Sequence, residues 1–121
     1  AIGSAIDRAL GTRAGITRFG YAYAPLDEAL TRVVIDLSGR PSSVVNLPCE
    51  REMVGTVATE NFAHFFQSFA TAARASLHVD LIRGDNDHHR IESAFKAFAL
   101  ALRQALTASG TAEVPSTKGV L

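Results

Sequence analysis

Hydrophobic positions change period several times along the chain, and each change marks an element. Ile2, Ile6 and Leu10 recur at i, i+4 and i+8 with Gly11 behind them, which reads as a helix closed by a glycine. A turn-rich link then runs to Gly20. Tyr21 to Asp27 reads as a strand, and Pro25 within it calls for an edge or a bulge because proline offers no N–H to a ladder. From Thr31 to Gly39, Val33, Ile35 and Leu37 alternate with Arg32, Asp36 and Ser38, so one face is apolar and the other mostly polar. Ser43 to Leu47 makes a third strand before Pro48, and residues 49–58 form a connection without a clear period. Phe62, Phe65, Phe66 and Phe69 recur at helical spacing and give the core stripe of a helix from Thr59 to Ala75. Leu77, Val79 and Leu81 alternate again, a fourth strand that ends at Arg83-Gly84. Ile91, Phe95, Phe98, Leu102 and Leu106 stripe a last helix from about His88 to Leu106. Residues 114–121 are short, polar and punctuated by Gly and Pro, the pattern of a flexible tail.

The order after the leading helix is β-β-β-α-β-α. It predicts an α/β chain of the α+β kind: a two-layer sandwich of a four-stranded sheet with two helices on one face. Residues 1–11 stand apart as a helix with nothing before them to cap it, which is expected of a piece of a longer protein. Residues 12–113 form the α/β unit and 114–121 the tail. With 121 residues and 47% hydrophobic positions, one domain with a real core is expected. Twelve basic and twelve acidic side chains balance, so no overall field favours nucleic acid or a membrane surface. No apolar run approaches the ~18 residues of a span. Cys49 is alone and supports no disulfide framework, which suits a reducing cytoplasm. It reads as a packed thiol or a bystander rather than a nucleophile.

The polar positions that break the pattern concentrate at Asp87-His88-His89-Arg90-Ile91-Glu92. On a helix His88 lies about 40° and His89 about 60° from Glu92, so two imidazoles and a carboxylate share a side. That set suits Mn, Fe, Zn or Ni, although a solvated helix start gives the same letters. Asp85, Asn86 and Asp87 are good N-caps, which puts the histidines on a first turn. Lys96 falls on the same side as His89 and Glu92. His64 lies about 150° from the centre of the Phe stripe, so it is either solvated or turned toward something outside this core. His78 reads as structural or exposed. A phosphate loop, a nucleophile elbow and aromatic-basic interleaving are all missing from the sequence. A metal hydrolase finds no base or water-positioning motif here.

Seven stretches, in order, carry a family resemblance: Gly15 to Gly20, Pro25 to Leu30, Asp36-Leu37-Ser38-Gly39-Arg40-Pro41, Asn61 to Phe66, Asn86 to Glu92, Phe95-Lys96-Ala97 and Pro115-Ser116-Thr117-Lys118-Gly119. Together they resemble imidazoleglycerol-phosphate dehydratase over essentially the whole chain. The resemblance implies a ribosomal protein S5 domain 2-like fold, built in the family as a tandem pair of β-β-β-α-β-α halves. This chain looks like the second half, with residues 1–11 as the last helix of a first half that is otherwise absent.

The implied activity is dehydration of imidazole glycerol phosphate to imidazole acetol phosphate in histidine biosynthesis. Two Mn2+ ions per complete site would hold the substrate's ring as an imidazolate, with Zn, Fe, Co or Ni as competitors. The implied metal ligands are His64, His88, His89 and Glu92. Arg18, Arg40, Lys96, Ser116 and Lys118 are the implied phosphate and substrate contacts, and Glu92 and Asp27 the acidic groups for proton transfer. Half of the family's ligands are present. The resemblance therefore also implies a partner, either the missing half or a second copy of this chain. The alternative is a non-catalytic metal-binding half-domain that only folds and oligomerises.

Overall fold

The structure, a computed structural model, describes residues 1–121. Helix α1 spans Ile2–Leu10, strands β1 and β2 span Phe19–Leu26 and Ala29–Asp36, and β3 spans Ser42–Asn46. A small hairpin, β4 (Met53–Val54) and β5 (Val57–Ala58), precedes helix α2, Glu60–Ala73. Strand β6, Ser76–Arg83, and helix α3, Asp87–Leu106, complete the chain's regular elements. The sheet order is β1-β2-β6-β3, antiparallel except for the parallel β3–β6 pair. The two-layer sandwich and the four main strands are therefore as expected, and β1 is an edge strand, where Pro25 is tolerated.

Alternation decides which face is buried. Val33, Ile35 and Leu37 are fully buried, as are Leu77 and Val79 beside them in β6. Burying each such side chain contributes about 1.5–3 kcal/mol. Against that face lie Phe66 and Phe69 of α2 and Phe98 of α3, with Ala94, Ala97, Ala101 and Ala105 letting α3 lie close. The rings of Phe66 and Phe98 meet edge to face at 5.4 Å, and Phe69 and Phe98 at 4.9 Å. Gly20 of β1 is the tightest point. A Cβ there would sit 2.0 Å from the Ala101 carbonyl oxygen.

Helix α1 packs on α2, where Gly3 brings its backbone against Phe69 and Ala72. Arg13, fully buried, fastens the pair: its Nη2 donates to Asp7 Oδ1 at 2.6 Å and to the Ala73 carbonyl at 2.7 Å. Arg74 in the left-handed conformation ends α2 and also donates to Asp7. The tail folds into turns, and Arg18 Nη1 donates to the Pro115 carbonyl at 2.9 Å.

Candidate metal and substrate site

Antiparallel pairing sets Leu30 of β2 opposite Arg83 of β6, so the β1–β2 turn and the start of α3 share one end of the sheet. Asn86 caps α3, its Oδ1 accepting from the His89 amide at 3.2 Å. His88 and His89 thus stand on the first turn, as expected, with ring centroids 6.2 Å apart.

Their partners differ. His88 Nε2 lies 3.0 Å from Glu92 Oε2, and Lys96 Nζ lies 3.2 Å from Glu92 Oε1. The Lys96 ammonium, then the His88 ring, hold the Glu92 carboxyl below its ordinary range. His89 turns instead toward the β1–β2 turn: Nδ1 donates to Glu28 Oε1 at 2.5 Å, and Nε2 is 3.7 Å from Asp27 Oδ2. The other Glu28 oxygen accepts from the amides of Asp85 at 2.8 Å and Asn86 at 3.0 Å. The Asn86 amide, the His89 ring and the Asp85 amide lower the Glu28 carboxyl to about 2. The bond to Glu28 in turn raises His89 above its ordinary value. Asp27 takes a positive φ of 48° at the turn, which Asp tolerates better than most residues.

Under this end lies a buried ion pair. Asp87 accepts from the amides of Glu50 and Arg51, and Arg90 donates to the Gly84 and Pro48 carbonyls and to Asp87. Burial pushes the Asp87 carboxyl up, but the two amides and Arg90 outweigh it and the net direction is down. Nearby Cys49 is half-buried with its thiol pushed up by burial, then by Asp87, in keeping with a packed thiol.

The other expected residues lie elsewhere. His64 is on the exposed side of α2, its Nε2 3.3 Å from Ser68 Oγ, and makes no bond to the α3 histidines. His78 is exposed on the outer face of the sheet. Arg18 is held by Asp36 at 2.7 and 3.2 Å and sits 4.6 Å over the Phe19 ring. Its backbone amide donates to the Ala105 carbonyl, at the far end of α3. Sixteen residues of helix separate that point from His89, about 24 Å. Arg40 follows β2 at the same far end, where Gly39 touches Leu121, and Ser116 and Lys118 lie in the tail beside it. The structure therefore gathers Asp27, Glu28, His88, His89, Glu92 and Lys96 at one end and Arg18, Arg40 and the tail at the other.

The donors at the histidine end are of the right kind for a borderline divalent ion, imidazole nitrogen and carboxylate oxygen. No three His, Cys, Asp or Glu side chains of one chain converge on a common point, so the donor types fit such an ion but their arrangement in one chain does not enclose it. Glu28 is the residue that the sequence reading passed over. Its signal was the two-residue turn between alternating strands, which lands beside the start of α3 once β2 and β6 pair.

A profile described as imidazoleglycerol-phosphate dehydratase matches residues 1–102. Relatives described by the same words come from Eremothecium gossypii, 60% identical over all 121 residues and covered over 55% of its length, and Saccharomyces cerevisiae, 58% identical and likewise covered over 55%. The chain thus spans about half the length of the curated relatives it matches. A solved imidazoleglycerol-phosphate dehydratase from Staphylococcus aureus superposes with a TM-score of 0.86 at 45% identity, over 89% of this chain and 63% of that one. The Pyrococcus furiosus structure gives 0.83 at 37% identity, over 99% and 68%.

Proposed function

This chain belongs to the imidazoleglycerol-phosphate dehydratase family, and from that premise we propose that it carries half of the groups that dehydrate imidazole glycerol phosphate to imidazole acetol phosphate in histidine biosynthesis. One observation supports the reading above the others. The first turns of α3 present His88, His89, Glu92 and Lys96 on the side away from the Phe core, with His88 and Lys96 both on Glu92 and His89 tied to the β1–β2 turn. Core packing does not require those residue types there.

His64, His88, His89 and Glu92 are the groups that would hold Mn2+, with Zn, Fe, Co or Ni as competitors. Bound metal supplies Lewis acidity at the nitrogens of the substrate's ring. To serve as ligands, Glu92 and His88 would have to give up their contact through Oε2, while Lys96, on Oε1, could keep its carboxylate and still offer its remaining N–H donors to a phosphate oxygen. Asp27, largely exposed and 3.7 Å from His89 Nε2, is placed to carry a proton at its Oδ2. Arg18, Arg40, Ser116 and Lys118 serve a phosphate at the opposite end of α3. One small substrate does not span about 24 Å, so the two ends of a single chain serve different sites. A missing half or a second copy completes each one.

The second reading is a metal-binding half-domain without turnover, favoured by the failure of any three donors in one chain to converge. Two measurements on the same sample separate the readings: product formation from imidazole glycerol phosphate with Mn2+, and a calorimetric Mn2+ titration. Turnover supports the enzyme. Binding without turnover assigns the half-domain. Folded protein that neither binds nor turns over overturns both.

A further inference from the structure

We propose that Glu28 is a positioning residue, which orients the His89 ring through Nδ1 so that Nε2 is presented as the ligand nitrogen for a divalent metal ion. The inference rests on the metal-site reading for its consequence, but its geometry stands without it.

Glu28 sits at the β1–β2 turn and is bound on both carboxylate oxygens. Oε2 takes the Asp85 and Asn86 amides, at 2.8 and 3.0 Å, and Oε1 faces His89 Nδ1 at 2.5 Å. Backbone amides only donate, so they hold the group as an acceptor. An ionised carboxylate has no proton to give, so the proton in the Glu28–His89 bond belongs to Nδ1. In the neutral ring that leaves the lone pair on Nε2, the nitrogen that faces outward beside Asp27.

The carboxylate is itself fixed. Its two amide donors belong to the loop that starts α3, and Asn86 also caps the helix through its side chain onto the His89 amide. Ring, cap and turn thus form one closed set of bonds around a single imidazole. His88 has no equivalent: its bonded nitrogen is Nε2, and its partner Glu92 is shared with Lys96. The two adjacent histidines are therefore prepared differently, His89 held by a carboxylate behind the ring and His88 paired through its outer nitrogen. A carboxylate behind a ligating imidazole sets its tautomer and raises its basicity, and losing such a partner costs 10- to 100-fold in metal affinity.

The test has two readouts on the full chain, with circular dichroism as the check on folding. Nitrogen-15 NMR of the metal-free imidazoles should show His89 protonated at Nδ1 in the native chain and shifted toward Nε2 in Glu28→Ala. Calorimetric titration with Mn2+ should show affinity falling about 10- to 100-fold in Glu28→Ala. Glu28→Gln should fall as well, because the Asp85 and Asn86 amides claim its one amide oxygen and its NH2 then faces Nδ1, which moves the ring proton to Nε2. Should Glu28→Ala fail to fold, Glu28→Asp, one methylene short of His89, is read in the same way. An unchanged tautomer in the folded variant overturns the proposal, as does an unchanged Mn2+ affinity. If the native chain binds no Mn2+, the metal reading fails by itself, and the metal-free tautomer still decides what Glu28 does.

Discussion

At Asp87 one carboxylate joins two pieces of chain, the start of α3 and the loop at Glu50-Arg51. It starts α3, accepts the amides of Glu50 and Arg51 at 3.1 and 2.8 Å, and faces Arg90 at 3.4 Å with its side chain 2% exposed. Asp87→Ala leaves two amides and a largely buried guanidinium short of an acceptor, and an expected cost of about 2–4 kcal/mol follows. Urea unfolding near neutral pH measures it. Asp7 gives the clearest dependence on pH. Hydrogen bonds from Arg74 and then Arg13 lower its carboxyl below the ordinary 3.8. A depressed carboxylate contributes stability above its unfolded value and loses it as pH falls through the folded one. Thermal midpoints should therefore drop below about pH 4 in the native chain, and Asp7→Asn should flatten that limb. An acid limb unchanged in Asp7→Asn would show that other carboxylates carry it. At this scale the sequence was only partly legible. His88, His89, Glu92 and Lys96 could be read because one helix fixes their spacing. Glu28, Asp87 and Arg13 could not, because their partners lie 61, 37 and 60 positions away.

Elements were more legible than contacts, and for a physical reason. A half-buried strand must alternate and a packed helix must stripe, so the pattern that buries the core is written in the order of residues. The strands from Thr31 and Leu77 and both Phe-striped helices follow directly. The hairpin of β4 and β5 did not, since strands of two residues each carry no period. The expected strand start at Tyr21 fell short of the observed Phe19, because Gly20 gives no hydrophobic signal although it faces the core. Its lack of a side chain is what lets β1 approach α3. A Cβ 2.0 Å from the Ala101 oxygen requires the strand or the helix to move, and Gly20→Ala should destabilise by about 1–3 kcal/mol or more. Chemical denaturation checks this. Gly3 tests a different joint. A larger side chain there meets Ala72 and the Phe69 carbonyl at 2.9 Å, so Gly3→Val should lift α1 from α2. Hydrogen exchange should then quicken over residues 2–10 and stay slow in β2 and β6. Equal acceleration throughout would mean that α1 and the sheet unfold together.

At the scale of the molecule, one face of the sheet is covered by helices and the other is open. Tyr21, Tyr23, Val34 and Val44 are exposed on that open face, an apolar area that invites a partner. The sheet's edges differ as well. β1 is blunted by Pro25 and by Gln104, whose Oε1 accepts the Tyr21 amide at 2.7 Å. β3, Ser42–Asn46, has neither a proline nor a side chain on its outer amides. The proposed metal ligands of α3 and the proposed phosphate contacts around Arg18 stand about 24 Å apart in a single chain. Open sheet and unclosed ligand set both call for association, and a closed symmetric unit answers both at once. We expect this chain to self-associate at tens of micromolar, with the contact divided between two surfaces that can be separated experimentally. Light scattering without metal reads the sheet contribution, and Val44→Lys on the outer face should reduce the mass. Adding Mn2+ should raise the mass of the native chain, and His89→Ala should abolish that increment while leaving the metal-free mass unchanged. A monomer under both conditions would refute the assembly and leave the proposed metal ligands without a completed site, because no three His, Cys, Asp or Glu side chains of one copy converge.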